Sequence, residues 1–113
     1  MIFERFDVVV VPFPFVDSPT PKPRPALVLT TGAFNRANRH AVVAMITRAT
    51  HTRWPSDHPI AELGPTGLRH ASVVRWKTFT LDNRIIQRRI GTLDSKDRAG
   101  CEILLADALG LGR

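Results

Sequence analysis

Between Asp7 and Ile90 the apolar residues fall into short β-branched runs broken by turn formers, and no connecting segment has the period of a long amphipathic helix. The runs are Asp7–Val11, Pro25–Thr31, Ala41–Thr47, Ser72–Thr80 and Arg84–Ile90. Parallel pairing would need crossovers of about a dozen residues or more, usually helical. The pattern therefore predicts a mainly β fold, a small antiparallel sheet or barrel, within one domain spanning residues 1–113. Prolines at 12, 14, 19, 21, 23 and 25 remove backbone donors and fix φ, which predicts a stiffened loop between the first two strands. Asp82-Asn83 reads as a turn, and Trp54 to Leu68 as a longer irregular connection. Only the C-terminal end looks helical: Asp94 is an N-cap, Asp97 suits the first turn, and Gly110 can close the other end. Ile103, Leu104 and Leu105 are successive there and spread over about 200° of the helix. Such a helix is either deeply buried or meets a partner subunit with its second face.

Several classes drop out. The longest apolar run, Val8 to Val16, is interrupted by prolines and falls short of the roughly 20 residues of a membrane span. Glu4 and Asp7 stand where a signal peptide has a basic flank and an apolar stretch, so the expected location is cytoplasmic. Cys101 is the only cysteine, so neither an intrachain disulfide nor a multi-cysteine zinc site is possible. Charge is more informative. Sixteen basic residues, most of them arginine, stand against ten acids, a net +6. From Ser18 to Ser56 there are basic residues and no acid at all. Arginine binds phosphate through a planar fork and stays charged at any relevant pH, so the bias suits a nucleic-acid binder as well as an ordinary basic protein.

Two residues stand where chemistry could be placed. Arg24 lies between Pro23 and Pro25 at the entry to the second strand, which launches its guanidinium from a restricted backbone. The same position suits a surface arginine in a loop that only holds strand ends. Thr47 closes the run Ala-Val-Val-Ala-Met-Ile-Thr, and its hydroxyl could face a groove beside Arg24 if the two strands are neighbours; β propensity alone also accounts for it. Arg36, Arg39 and Arg48 are candidates for phosphate contacts. His51 and His58 are the pair an acid–base relay would use, but His40, His51, His58 and His70 read better as solvated loop residues. No histidine pair has helical metal-binding spacing, so neither metal nor cofactor is expected. Trp54 and Trp76 offer flat faces on which unpaired bases could stack, but Trp54 reads better as core. Trp76 alternates with Arg75 and Lys77, which puts the ring and the charges on opposite faces.

Phe6-Asp7-Val8-Val9-Val10-Val11-Pro12-Phe13-Pro14-Phe15, Arg24-Pro25-Ala26-Leu27-Val28-Leu29, Ala44-Met45-Ile46-Thr47 and Ser72-Val73-Val74, in that order, resemble the MazF/PemK family of toxin endoribonucleases. The resemblance covers about residues 6 to 109. It implies a small SH3-like antiparallel β-barrel with a C-terminal helix, a homodimer, and metal-independent cleavage of single-stranded RNA at short motifs. The products would be a 2′,3′-cyclic phosphate and a 5′-hydroxyl, and a cognate antitoxin would hold the protein inactive. By the same resemblance Arg24 and Thr47 are catalytic, and Arg75 falls where some members carry another active-site arginine. Lys77 departs from the pattern, since some members have an aspartate there. Arg75, Lys77, Arg48 and Asp17 complete the candidate substrate-binding set, with Asp17 or water as a possible proton acceptor. The competing readings are a non-catalytic RNA- or DNA-binding barrel and a protein-interaction module.

Overall fold

The computed structural model describes residues 1–14, 19–50 and 53–112. Its strands are β1 (Asp7–Phe13), β2 (Lys22–Val28), β3 (His40–Arg48), β4 (His58–Pro59), β5 (Ser72–Asp82) and β6 (Arg88–Thr92), with helices α1 (Gly32–Asn38) and α2 (Ser95–Leu109). They form one antiparallel sheet in the order β4-β5-β3-β2-β1-β6, curled into a half-barrel with α2 against it. The mainly β expectation and the C-terminal helix are both met.

The valine run of β1 is buried throughout because both faces of the sheet are covered. Val9 and Val11 join Phe3, Val28, Val43, Leu81 and Ile86 on one face. Val8 joins Leu27, Ile46, Val74, Leu93 and, from α2, Cys101 on the other. A strand covered on both sides has no polar face to alternate with, hence four consecutive valines. The edge strands β4 and β6 do not pair among the described residues. A 3-10 turn at Gly64–Thr66 lies against β6 instead, so close that a methyl group on Gly91 would come within 2.3 Å of the Pro65 carbonyl oxygen.

Several expectations are corrected. β1 and β2 run further into the proline-rich segment than expected, with Pro12 and Pro23 paired in register and Pro25 opposite Val10. β2 also ends three residues early, because Thr31 turns outward and caps α1 by accepting a hydrogen bond from the Phe34 N–H. The second helix, α1, was not expected. It is short and carries little apolar surface, and its anchor is polar: buried Asn35 donates to the carbonyls of Phe3 (2.9 Å) and Thr30 (3.1 Å). The last strand lies at Arg88–Thr92 rather than Arg84–Ile90, since Asp82 caps a 3-10 turn over Asn83–Ile85. His58 is no solvated loop residue but a β4 residue whose ring is 2.9 Å from Asp97.

Asp97 ties α2 to the sheet edge. It is 1% exposed and accepts from the backbone N–H groups of Ala61 (2.9 Å) and Glu62 (3.0 Å) as well as facing His58. Burial alone would raise its pKa, but those two N–H donors and the His58 ring outweigh it and hold the carboxyl below its usual value. A lowered folded-state pKa gives stability that is complete above the unfolded value, about 3.9, and is lost as pH falls through the folded one. Asp97→Asn should therefore cost about 2–3 kcal/mol at pH 7. In urea unfolding at pH 7 and pH 3, the gap to the wild type should narrow at the lower pH.

Candidate active site

The site is made by a ladder that stops. Leu29 N–H donates to the Val42 carbonyl (2.8 Å), so the odd-numbered residues of β2 turn their backbone groups toward β3, while the Val28 carbonyl accepts from Phe6 on the β1 side. Pro23 and Pro25 therefore aim their nitrogens at β3 and have no hydrogen to offer. Pairing of β2 with β3 ends at Ala26↔Met45, immediately before Pro25. Pairing of β2 with β1 continues to Lys22↔Phe13, and β3 stays with β5 as far as Arg48↔Ser72. The two strands part, each still supported on its far side, and a cleft of about 520 Å³ opens between them.

Arg24 lies on the β2 wall and Thr47 with Arg48 on the β3 wall, so the two residues singled out in the sequence share one cleft. Arg75 and Lys77 of β5 line it too, joined by Arg69, His70 and Phe13. A bulge helps: Ala44 pairs with Thr78 and Met45 with Arg75, leaving Trp76 and Lys77 without a β3 partner. Bulges re-aim side chains in this way. Trp76, half-buried, packs against the core and Arg75 and Lys77 turn to the cleft, as the alternation predicts.

The described lining contains five cations (Arg24, Arg48, Arg69, Arg75 and Lys77) and no carboxylate. Arg75 is held from behind by Asp57, to which its Nε (3.1 Å) and Nη2 (2.8 Å) both donate. The Arg75 guanidinium in turn holds the Asp57 carboxyl below the usual carboxylate range, against the opposing effect of burial. Lys77 sits 5.3 Å from the centre of the Phe13 ring. Arg24 meets no acid among the described residues and is exposed. The described lining of the cleft is therefore positively charged, with its one neighbouring acid, Asp57, already engaged by Arg75.

Sequence reasoning missed Asp57, Arg69 and Phe13; His70 is the exposed loop residue expected, and it also lines the cleft. Trp54 is not core: it is 43% exposed, with the Arg75 guanidinium 5.5 Å from its ring centre. Arg36 and Arg39 lie on and just after α1, outside the cleft lining. Asp17 and His51 fall outside the described residues. Only the acid-free stretch that ends at Asp57 pointed toward that residue, and it did not name Arg75 as its partner.

The sequence matches, over residues 4–109, the model of the PemK-like, MazF-like toxins of type II toxin–antitoxin systems. The chain belongs to that family. No curated protein sequence matches it significantly. Among solved structures, it superposes on a MazE–MazF complex from Deinococcus radiodurans with a TM-score of 0.78 at 20% identity, covering 99% of this chain and 100% of that one. An endoribonuclease in complex with its cognate antitoxin, from a mycobacterial species, gives 0.77 at 20% identity and 98% of both chains. The Mycobacterium tuberculosis toxin MazF-mt6 gives 0.74 at 23% identity, over 95% of this chain and 99% of that one. At these identities the superpositions establish the MazF fold, and the family match establishes the membership.

A cationic cleft of this kind has a measurable signature. Each phosphate contact to single-stranded nucleic acid contributes about 0.7 to the slope of log binding constant against log salt. Arg48→Ala, Arg69→Ala or Lys77→Ala should each lower that slope by about this amount, and Arg36→Ala should leave it unchanged. Fluorescence anisotropy with a labelled single-stranded oligonucleotide over a salt series measures it.

Proposed function

We propose that this toxin is a metal-independent endoribonuclease that cuts single-stranded RNA at short sequence motifs and is neutralised by a cognate antitoxin. The observation that carries the reading is the pairing of Arg24 and Thr47 across one cation-lined cleft. RNA brings its own nucleophile, the 2′-hydroxyl next to the scissile phosphorus. The protein has to align that oxygen with the leaving 5′-oxygen and stabilise the charge that gathers on the phosphorane. Arg24 gives two donors to the non-bridging oxygens and the Thr47 hydroxyl a third. The 2′-oxygen–phosphorus bond forms as the phosphorus–5′-oxygen bond breaks. The 2′-hydroxyl proton passes to water and the leaving oxygen takes one from water, so the products are a 2′,3′-cyclic phosphate and a 5′-hydroxyl. Lys77, in place of a carboxylate, adds positive charge where some relatives have an acid. Arg75, Arg48 and Lys77 bind the flanking phosphates, and an acidic residue such as Asp17 can assist the proton transfer. The cations supply the charge stabilisation a metal gives elsewhere. The reading puts the protein in the cytoplasm with its RNA, and no helix among the described residues is long and apolar enough to cross a membrane.

Removing one donor of this kind costs roughly 10²–10³ in rate. Arg24→Ala and Thr47→Ala should each lose cleavage by that factor while retaining most RNA binding. Wild-type cleavage should survive EDTA and should stop when the scissile nucleotide carries a 2′-deoxyribose. Wild-type protein that binds RNA under these conditions and never cuts it would be a binding module instead.

The active form in this proposal is a homodimer. Cys101 and Leu105 of α2 face the sheet, while Ile103 is 49% exposed, and Leu109 and Leu111 beyond it are 63% and 59% exposed. Of the two sequence-based options for this helix, deep burial fails within a single chain, and the outer face fits a second copy. Sedimentation at micromolar concentration should give twice 12.6 kDa, and Ile103→Glu should return the protein to a monomer.

A further inference from the structure

A second groove of about 400 Å³ adjoins the cleft, lined by Arg53, Trp54, Pro55, Asp57, Pro59 and Val73. We propose that it is a subsite for one unpaired base of the bound RNA, stacked on Trp54. The inference rests on the RNA reading of the cleft and extends it to a nucleotide flanking the cut.

With the Arg75 guanidinium over its ring, Trp54 is still 43% exposed, and the exposure comes with a turn braced by hydrogen bonds. Asp57 N–H donates to the Trp54 carbonyl (3.1 Å), and Trp54 N–H donates back to the Asp57 carboxylate (3.0 Å), closing a turn with Pro55 at its second position. Trp76, packed against the core, donates its indole N–H to the Ser56 carbonyl (2.8 Å). Arg75 holds Asp57 from the cleft side. The turn that carries the ring is thus held in place before any ligand arrives, which lowers the entropy cost of binding.

The position suits a neighbouring nucleotide. Thr47, Val73 and Pro59 lie in one row across β3, β5 and β4, so the groove residues Val73 and Pro59 stand one and two strand spacings, about 5 and 10 Å, from the Thr47 wall. Arg75 belongs to both places, lining the cleft while its guanidinium lies over the Trp54 ring. Both Asp57 oxygens are already occupied by hydrogen-bond donors, so the one acid in the groove does little to repel a phosphate, and Arg53 attracts one. Flat aromatic and guanidinium faces are what unpaired bases stack on. An antitoxin peptide is a poorer fit. Adding a strand at this edge needs backbone donors, and β4 offers two residues, one of them Pro59.

The test uses the full-length toxin and a motif-bearing oligonucleotide made uncleavable by 2′-deoxyribose at the scissile nucleotide, with abasic substitutions placed in turn on either side. Stacking of one base corresponds to roughly a 5- to 150-fold change in affinity. Trp54→Ala should weaken binding within that range, with the loss in cleavage assays falling on KM, and Trp54→Phe should keep most of the affinity. One abasic position should cost the wild type as much as Trp54→Ala does and add nothing in that variant, the non-additivity of a direct contact. Intact Arg24-dependent cleavage with no coupled position overturns the subsite alone. Loss confined to binding of an acidic peptide overturns it in favour of the antitoxin. Absence of any Arg24-dependent cleavage removes the RNA reading and this inference with it.

Discussion

The geometry of this molecule turns on two missing hydrogens. Pro23 and Pro25 face β3 without an N–H, and the β2–β3 ladder ends where they begin. An ordinary residue at 25 would let the pairing continue alongside Ile46 and Thr47 and fill the space where the cleft stands. The opening costs little because neither wall is left unsupported: β2 remains paired with β1, and β3 with β5. The result is a gap with stiff sides, and a gap with stiff sides holds the groups on its two walls at a fixed separation. Preorganisation of that kind is what an electrostatic site requires.

The rest of the fold supplies the rigidity. Burial on both faces lets a six-stranded sheet, open along one side, hold its curvature without a closing ladder. The polar contacts fall at the seams where hydrophobic packing alone would not fix the geometry. Asn35 ties α1 to the N-terminal segment, Asp97 ties α2 to the β4 edge, and Asp57 ties the turn after Arg53 to the back of Arg75. In each case a buried or nearly buried side chain satisfies backbone or guanidinium donors, so its removal leaves donors without partners.

Much of this was legible in the sequence, and the reasons differ between elements. The β-branched runs gave the strands because a strand covered on both faces must be almost wholly apolar. The cap at Asp94 and the glycine at 110 marked α2. Proline positions were read as a loop signal, whereas their backbone direction decides the outcome: Pro12 and Pro23 face each other in a pair that needs no hydrogen bond, and only the β3 side loses its ladder. That direction depends on register, which a single sequence does not display. Helix α1 stayed hidden because its hold is the hydrogen-bonding of one asparagine rather than an apolar stripe. Trp54 was misplaced since tryptophan is usually core, and nothing local marks a turn stiffened by an acid three residues on. Arg24 and Thr47 were found through the motif, and their meeting across the cleft follows from β2 and β3 being neighbours.

The cleft's composition bears on why Lys77 is compatible with the proposed reaction. A site that activates water or a protein nucleophile needs a base, and a lysine in place of a carboxylate would damage it. A site whose substrate carries its own nucleophile has a different requirement, since the costly quantity is charge on the phosphorane rather than the first proton. Among the described residues five cations converge on this cleft, and the Asp57 carboxylate behind them is engaged with Arg75. Under the proposed reaction, exchanging an acid for Lys77 moves the site further toward charge stabilisation and away from proton relay. It also strengthens the hold on the flanking backbone, where Lys77 rests against the Phe13 ring at the mouth of the gap that Pro23 and Pro25 keep open.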